Sequence, residues 1–255
     1  MSPPSIDIII LAAGRGTRMS DQSLPKVLHP LAGKPLISHL LETIHSLSIP
    51  AHTIIVVGYK SEKVKTACGP TYTYALQKEQ LGTGHATLSA IPFIKSDHIL
   101  VLYGDMPMVS KDSLEKIVNL HLSTTPAITL FTTITPHFDP PYSAFLRYGR
   151  ILRDQETKNF LKITEAKDAT EDELKIHEVN PGIYLFSRSF LEKALPSLTS
   201  DNTQHELYLT DCLAVACKKN LPILSLPLPP AESLGVNSDI DLKILLSLST
   251  LEKNN

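Results

Sequence analysis

Apolar and polar positions alternate between two rhythms along the first half of the chain. Ile6 to Leu11 is a short, nearly continuous apolar run, and "HTIIVVG" (52–58) and "HILVLYGD" (98–105) repeat the theme. Runs of that length and β-branched content predict strands covered on both faces. "TYTYAL" (71–76) and "AITLFTTI" (127–134) add two more strands. Between them the spacing turns helical: Leu36, Ile37, Leu40, Leu41, Ile44 and Leu47 recur at three- and four-residue intervals. Ser61 to Cys68 with Ser61 as its cap, "GHATLSAIPFI" (84–94) and "SKDSLEKIVNLHL" (110–122) predict further helices. Strand and helix in this alternation predict right-handed crossovers and a Rossmann-like, mostly parallel sheet flanked by helices, an α/β fold. Ligands of such sheets lie beyond the carboxyl ends of the strands, where Gly14 and Asp105 fall.

The rhythm changes after Pro136. A proline-rich loop, "PHFDPPYSAFLRYGR", leads to shorter strand-like stretches, "RYGRILRD", "NFLKITEA" and "VNPGIYLFS", interrupted by the charged tract "AKDATEDELK". A helix from about His205 to Lys219, a strand "LPILSLPL" and a closing helix from Asp239 finish the pattern. The expected organisation is an α/β core over 1–135, a smaller mixed lobe over 136–235, and a turn with a helix over 236–255. The closing helix is apolar over a wide arc (Leu242, Leu245, Leu246, Leu248, Leu251), which suits packing on its own domain or against a second copy.

Composition narrows the partners. Over 255 residues, 42% apolar and 20% charged, the formal net charge is −2, which excludes a bulk electrostatic grip on nucleic acid or an anionic membrane. An anion must therefore be gripped locally. No apolar run is long enough to span a bilayer, and nothing basic precedes Ile8 to Ala13, so a cytoplasmic protein is expected. Cys68, Cys212 and Cys217 lack zinc spacing and read as reduced structural thiols.

Candidate chemistry starts at "IIILAAGRGTRMSDQSLPKVLH" (8–29). A dinucleotide fingerprint would need glycine where Met19 stands and a helix where "SDQSLP" forms a loop; a Walker motif would need a Gly-Lys-Ser/Thr that this stretch lacks. The loop is instead cationic, carrying Arg15, Arg18 and Lys26. Two readings remain, a polyphosphate cradle of backbone N–H groups and basic side chains, and a tight turn with solvated cations. Asp105 ends a buried apolar strand, where an unpaired carboxylate is costly and a divalent cation would explain it; a cap of the next helix is the alternative.

"LAAGRGTRM" with "LPKVLHPLAGKPL" resembles the signature of sugar-1-phosphate nucleotidyltransferases. "LQKEQLGTGHA" (76–86), "LYGDMP" (102–107), "RYGRILRD" (147–154), "ITEAKDAT" (163–170), "VNPGIY" (179–184), "QHELYLTD" (204–211) and "GVNSDIDL" (235–242) come in that family's order. The narrower resemblance is to the uridyltransferase domain of bacterial N-acetylglucosamine-1-phosphate uridyltransferases, which also carry a glucosamine-1-phosphate acetyltransferase domain. It implies a fold of the nucleotide-diphospho-sugar transferase type, with a sugar-binding lobe. The implied reaction is attack of N-acetylglucosamine-1-phosphate on the α-phosphorus of UTP, giving UDP-N-acetylglucosamine and pyrophosphate.

By the same resemblance, Arg18 and Lys26 serve the triphosphate and its transition state. Leu11, Ala12, Ala13, Gly14, Gly16, Lys26, Gln77, Gly82 and Thr83 bind UTP. Tyr103, Gly104, Gly149, Glu165 and Asn180 bind the sugar, and Asp105 with Asn237 holds Mg²⁺. No left-handed β-helix repeats are encoded, so neither acetyl transfer nor the β-helix trimer is expected, and a monomer or a dimer stays open. Two departures stand out: an extra residue between Met19 and Pro25, and Pro181 where the family pattern has threonine. Rival readings are a uridylyltransferase for another sugar-1-phosphate, a cytidylyl or molybdopterin-guanine type transferase, and a nucleotide-sensing protein without activity.

Overall fold

A computed structural model describes residues 5–253. In chain order the strands are β1 (Ile6–Ala12), β2 (Pro30–Leu31), β3 (Lys34–Pro35), β4 (Ala51–Val57), β5 (Thr73–Leu76), β6 (His98–Tyr103), β7 (Ile128–Ile134), β8 (Gly149–Arg153), β9 (Phe160–Thr164), β10 (Glu178–Asn180), β11 (Tyr184–Ser187) and β12 (Ile223–Pro227). The helices are α1 (Leu36–His45), α2 (Ser61–Cys68), α3 (Thr83–Ala90), α4 (Lys111–Thr124), α5 (Glu171–Leu174), α6 (Arg188–Ala194), α7 (Asp211–Lys218), α8 (Pro230–Ser233) and α9 (Asp239–Lys253).

One ten-stranded sheet runs β5-β4-β1-β6-β11-β7-β10-β8-β9, with β12 paired to β7. The β5-β4-β1-β6 half is parallel and level at its carboxyl end, with Leu11 beside Tyr103, Ala12 beside Val57 and Val57 beside Leu76. All seven residues of β1 are buried. Alternate side chains feed two cores: Ile6, Ile8 and Ile10 meet α1, α2 and α4 on one face, and Ile9 and Leu11 share the other with α3, α6 and α7. Asp7 interrupts the run fully buried, and its carboxylate accepts from His52 Nδ1 (2.7 Å), the Lys95 amide (2.5 Å) and the Ser96 amide (2.6 Å). Strand order reverses at β1 and β6, and it is there that a crevice forms in open sheets of this kind.

The sheet splits where one strand was expected. "VNPGIYLFS" forms β10 and β11, both antiparallel to β7, separated at Pro181–Ile183. Pro181 has no ladder donor. Gly182 takes φ +87, where a side chain would strike the Tyr103 ring. On the far side, β11 pairs β6 while β10 pairs β8, so a wedge opens between β6 and β8. Both β11 and β12, from the expected second lobe, lie in the same sheet as the core strands.

Two further expectations change. Ser61 is the first residue of α2 and not its cap; the cap position is Lys60, in a left-handed conformation. The helix expected from His205 begins only at Asp211. Leu207 is committed to main-chain pairing, donating to Leu81 O (2.8 Å) and accepting from the Gly84 amide (2.7 Å), so its backbone cannot join a helical ladder. The charged tract yields α5 through a capping box of Thr170 and Glu173. In α9, Leu245 and Leu248 are buried against Phe145, Leu36 and Val236, and Leu242 packs on the same cluster. Ile240 and Leu246 are exposed, and the Leu251 side chain lies outside the described residues.

His121 is buried between α4 and β7, its Nδ1 on Thr129 Oγ1 at 2.9 Å and its ring edge-on to His98. Burial, then the neighbouring His98, pushes its pKa down to about 4. The folded protein thus holds His121 neutral while the unfolded chain regains the ordinary affinity near 6.5, so unfolding takes up a proton below that pH. Stability should fall by about 2–3 kcal/mol as the pH drops from 6.5 toward 4. Urea titrations at stepped pH check this, and His121→Leu should flatten the slope.

Candidate active site

Two cavities open side by side at the carboxyl ends of β1 and β6, with Lys26 and Tyr103 in the walls of both. The first, of 220 Å³, brings together Leu11, Ala12, Ala13, Gly14, Gln77, Gly82 and Thr83. The second, of 240 Å³, lies in the wedge of the split sheet and brings together Asp105, Gly149, Glu165, Asn180 and Asn237. Local sequence places these groups. Gly16 takes φ +71, and a Cβ there would stand 2.7 Å from the Lys26 Cβ, so only glycine lets the loop fold under the lysine stem. Gly82 takes φ +100 with the Leu207 carbonyl 2.6 Å from where its Cβ would stand, which seals the far wall of the first cavity.

Lys26 is the hinge of the arrangement. Its ammonium pairs with the Asp105 carboxylate and donates to Asn237 Oδ1 at 3.0 Å. Asp105 is 4% exposed, so this cation offsets a charge that would otherwise be buried alone. The Val236 amide donates to the Asp105 carbonyl at 2.9 Å, bringing the 235–238 turn against the end of β6. Asp241, fully buried on α9, accepts from the Asn237 amide (2.9 Å) and from Arg147 Nη2 (2.5 Å). The Asn237 side chain is thereby aimed from a rigid base.

In the first cavity Gln77 Nε2 donates to Gly82 O (3.1 Å) and meets His85 Nδ1 (3.2 Å). Gln80 Nε2 donates to Ala13 O (2.8 Å). In the second, Asn180 Oδ1 accepts from the Gly182 amide (3.0 Å), and Glu165 Oε1 accepts from Thr210 Oγ1 (3.1 Å). Burial raises the Glu165 carboxyl above the ordinary carboxylate range. Tyr148 OH donates to Ser233 O (3.1 Å) and accepts from the Gly235 amide (2.7 Å), and burial pushes its pKa up. The fully buried Arg150 guanidinium, stacked 4.8 Å from the Phe138 ring, donates to carbonyls of Phe145, Leu146, Tyr148 and Leu174 and so fixes the wall that carries Tyr148.

Three expected site residues stay outside both linings. Gly16 acts from beneath Lys26. Gly104 donates its amide to Leu11 O (3.0 Å), and a Cβ there would stand 3.0 Å from Val27 Cγ1, so it joins β6 to β1 instead of facing the second cavity. Arg18 is exposed at the loop apex and has no hydrogen bond or ion pair among the described residues. Sequence reasoning missed Gln80, Glu206, Arg147, Tyr148 and Gly235, all lining residues. They come from segments distant in the chain, yet each lies inside a stretch that carried the resemblance: Gln80 in "LQKEQLGTGHA", Arg147 and Tyr148 in "RYGRILRD", Glu206 in "QHELYLTD" and Gly235 in "GVNSDIDL".

An α/β nucleotidyltransferase is the class that this sheet, loop and pair of cavities define. The chain belongs to the family of MobA-like NTP transferase domains, whose model matches residues 8–208. It is 44% identical over 240 residues to the bifunctional protein GlmU of Alcanivorax borkumensis, covering 93% of this chain and 50% of that protein. The bifunctional protein GlmU of Brevibacillus brevis is 38% identical over 240 residues, again covering 93% of this chain and 50% of the relative. The chain thus spans about half the length of these relatives. A Bacillus anthracis structure assigned as a glucose-1-phosphate thymidylyltransferase, with sucrose bound, has the same fold at TM-score 0.74 and 19% identity, covering 96% of this chain and 95% of its own. A UDP-glucose pyrophosphorylase with UDP-glucose matches at TM-score 0.69 and 17% identity, covering 98% and 99%. Among the described residues no helix is long and apolar enough to cross a membrane.

Proposed function

We propose that this chain transfers the uridylyl group of UTP to N-acetylglucosamine-1-phosphate, releasing pyrophosphate. The observation that supports it most is the pair of cavities joined at Lys26 and Tyr103, because joining two polyanions needs adjoining chambers with a shared cation. In this reading the first cavity takes UTP, with Gln77 offering an amide to the pyrimidine edge and the Ala13–Gly16 backbone wrapping phosphates. The second takes the sugar, facing Tyr103, Gly149, Glu165 and Asn180. The 1–135 segment then serves the nucleotide, 136–235 mainly the sugar, and 236–255 the Asn237 turn and its helix, in a cytoplasmic enzyme.

The sugar phosphate is already anionic at neutral pH, so no general base is required. Lys26 and Arg18 neutralise charge that spreads over the α-phosphate in the transition state. Asp105 and Asn237 fit a divalent cation of the Mg²⁺ class: both present hard oxygens, and the Lys26 ammonium already lies between them as a cation would. Among the described residues no group of three or more acidic, His or Cys side chains forms a richer metal site. Such a cation, when bound, supplies Lewis-acid polarisation of phosphate oxygens, with phosphates and water completing its shell.

Pyrophosphate release from UTP, CTP, ATP and GTP, each with N-acetylglucosamine-1-phosphate, glucosamine-1-phosphate or glucose-1-phosphate, tests the reading. Turnover confined to UTP with the acetylated sugar is expected. Pro181 in the wall of the second cavity favours one alternative, another sugar-1-phosphate with UTP; binding of UTP without pyrophosphate release would instead mean a sensor. Because Arg18 is exposed and bonds to none of the described residues, Arg18→Ala should leave Tm within about 1 °C of the parent while turnover falls about 10²–10³-fold. Thermal melts alongside initial rates check both halves of that expectation.

A further inference from the structure

The glycine loop is gripped at both ends by one short turn, Gly58 to Lys63, where β4 passes into α2. At the start of the loop, a Cβ added to Gly58 would stand 2.9 Å from the Ala13 Cβ, and the Tyr59 amide donates to Ala13 O at 3.1 Å. At the far end, Lys60 Nζ donates to the carbonyls of Gln22 (2.9 Å) and Ser23 (3.0 Å). Lys63 Nζ donates to the same Ser23 carbonyl at 3.0 Å. Lys60 adopts φ +48, a left-handed backbone that a side chain of this kind rarely takes, so the surrounding contacts fix it. Its ammonium stands 4.9 Å from the Tyr59 ring, and the Arg15 guanidinium lies 5.6 Å from that ring on the loop's side of the contact.

The loop needs such a grip. Residues 20–23 are all exposed, and within 14–25 only Met19 and Pro25 are buried. Little apolar burial therefore opposes the entropy of a mobile loop. Bonds from a charged donor to a carbonyl are among the stronger ones open to an exposed backbone. Three of them converge on two neighbouring carbonyls in the stretch that carries the extra residue, between the two cations assigned to the triphosphate.

We propose that Lys60 and Lys63 are positioning residues that hold residues 14–25 so that Arg18 and Lys26 meet a nucleoside triphosphate together. This rests on the uridylyl-transfer reading of the same site. Neither lysine lines either cavity, so both act through the loop and not on the ligand.

The test is the full chain carrying Lys60→Ala with Lys63→Ala, probed by hydrogen exchange of the 14–25 amides, trypsin cleavage after Arg15 and Arg18, and steady-state kinetics with UTP and N-acetylglucosamine-1-phosphate. Exchange over 14–25 should quicken about tenfold and cleavage should accelerate. The kcat should drop about 10- to 100-fold, as misplacement of catalytic groups demands, with KM for the sugar phosphate held within about twofold. A variant with arginine at both positions keeps the charged donors and should recover most of kcat. Unchanged exchange, or a loosened loop with parental kcat, overturns the proposal. A parent protein that releases no pyrophosphate sinks the uridylyl-transfer reading separately; unchanged exchange in the variant would then also remove the tether.

Discussion

Lys26→Met abolishes most turnover, an expected loss of about 10²–10³-fold in kcat/KM for both substrates, because the ammonium stands where the two cavities meet. Methionine keeps an unbranched stem against Gly16, so packing beneath the loop is retained and the loss is one of charge. A second signature separates this from general damage. With Lys26 gone, the nearly buried Asp105 carboxylate has lost its cation, and added Mg²⁺ should raise the melting temperature of the variant more than that of the parent. A variant with parental kcat/KM, or with no added response to Mg²⁺, would remove Lys26 from its assigned place.

Asp105→Asn is expected to cost turnover at least as much, about 10³-fold at saturating Mg²⁺, while leaving the fold in place. The amide oxygen can still accept from Lys26, and the main-chain bond from Val236 to the residue 105 carbonyl does not depend on the side chain. What disappears is the negative charge that makes two oxygens a cation site. Rates measured across a range of Mg²⁺ and Mn²⁺ concentrations, with circular dichroism to show folding, decide it. Parental activity in Asp105→Asn would mean that the carboxylate serves only as a partner for Lys26.

Much of this was legible in the sequence, for identifiable reasons. Strands such as "IDIIILA" are buried on both faces and write that burial as an apolar run broken only by Asp7, so β1, β4 and β6 could be read directly. Gly14 and Asp105, just beyond the carboxyl ends of β1 and β6, were legible too, because ligands of such sheets lie there; Gln77, after β5, was reached only through the resemblance carried by "LQKEQLGTGHA". Elements decided by distant partners were not. The stretch before Asp211 carries helical spacing, yet pairing of Leu207 with Leu81 and Gly84 keeps it out of a helix. "VNPGIYLFS" reads as a single strand until β6 and β8 compete for it on one side. Tyr148 looks like a surface residue of a proline-rich loop, and only Arg150 beneath and Gly235 beside it make it a wall. Lys60 and Lys63 carry no local mark at all, since their partners are backbone carbonyls some forty positions earlier.

The break at Pro181 to Ile183 has a consequence for how this protein could be altered. Because the ladder parts there, β8, β9 and β10 form a leaf whose main-chain pairing, among the described residues, reaches the rest of the sheet where β10 lies on the end of β7, at Val179 and Glu178. The residues facing the second cavity from that leaf can be exchanged without moving the register of β1, β4 and β6. On the proposed reading, acceptor choice and donor choice are then separately editable, and a library confined to Gly149, Glu165, Asn180 and Pro181 would explore new acceptors beside an unchanged first cavity.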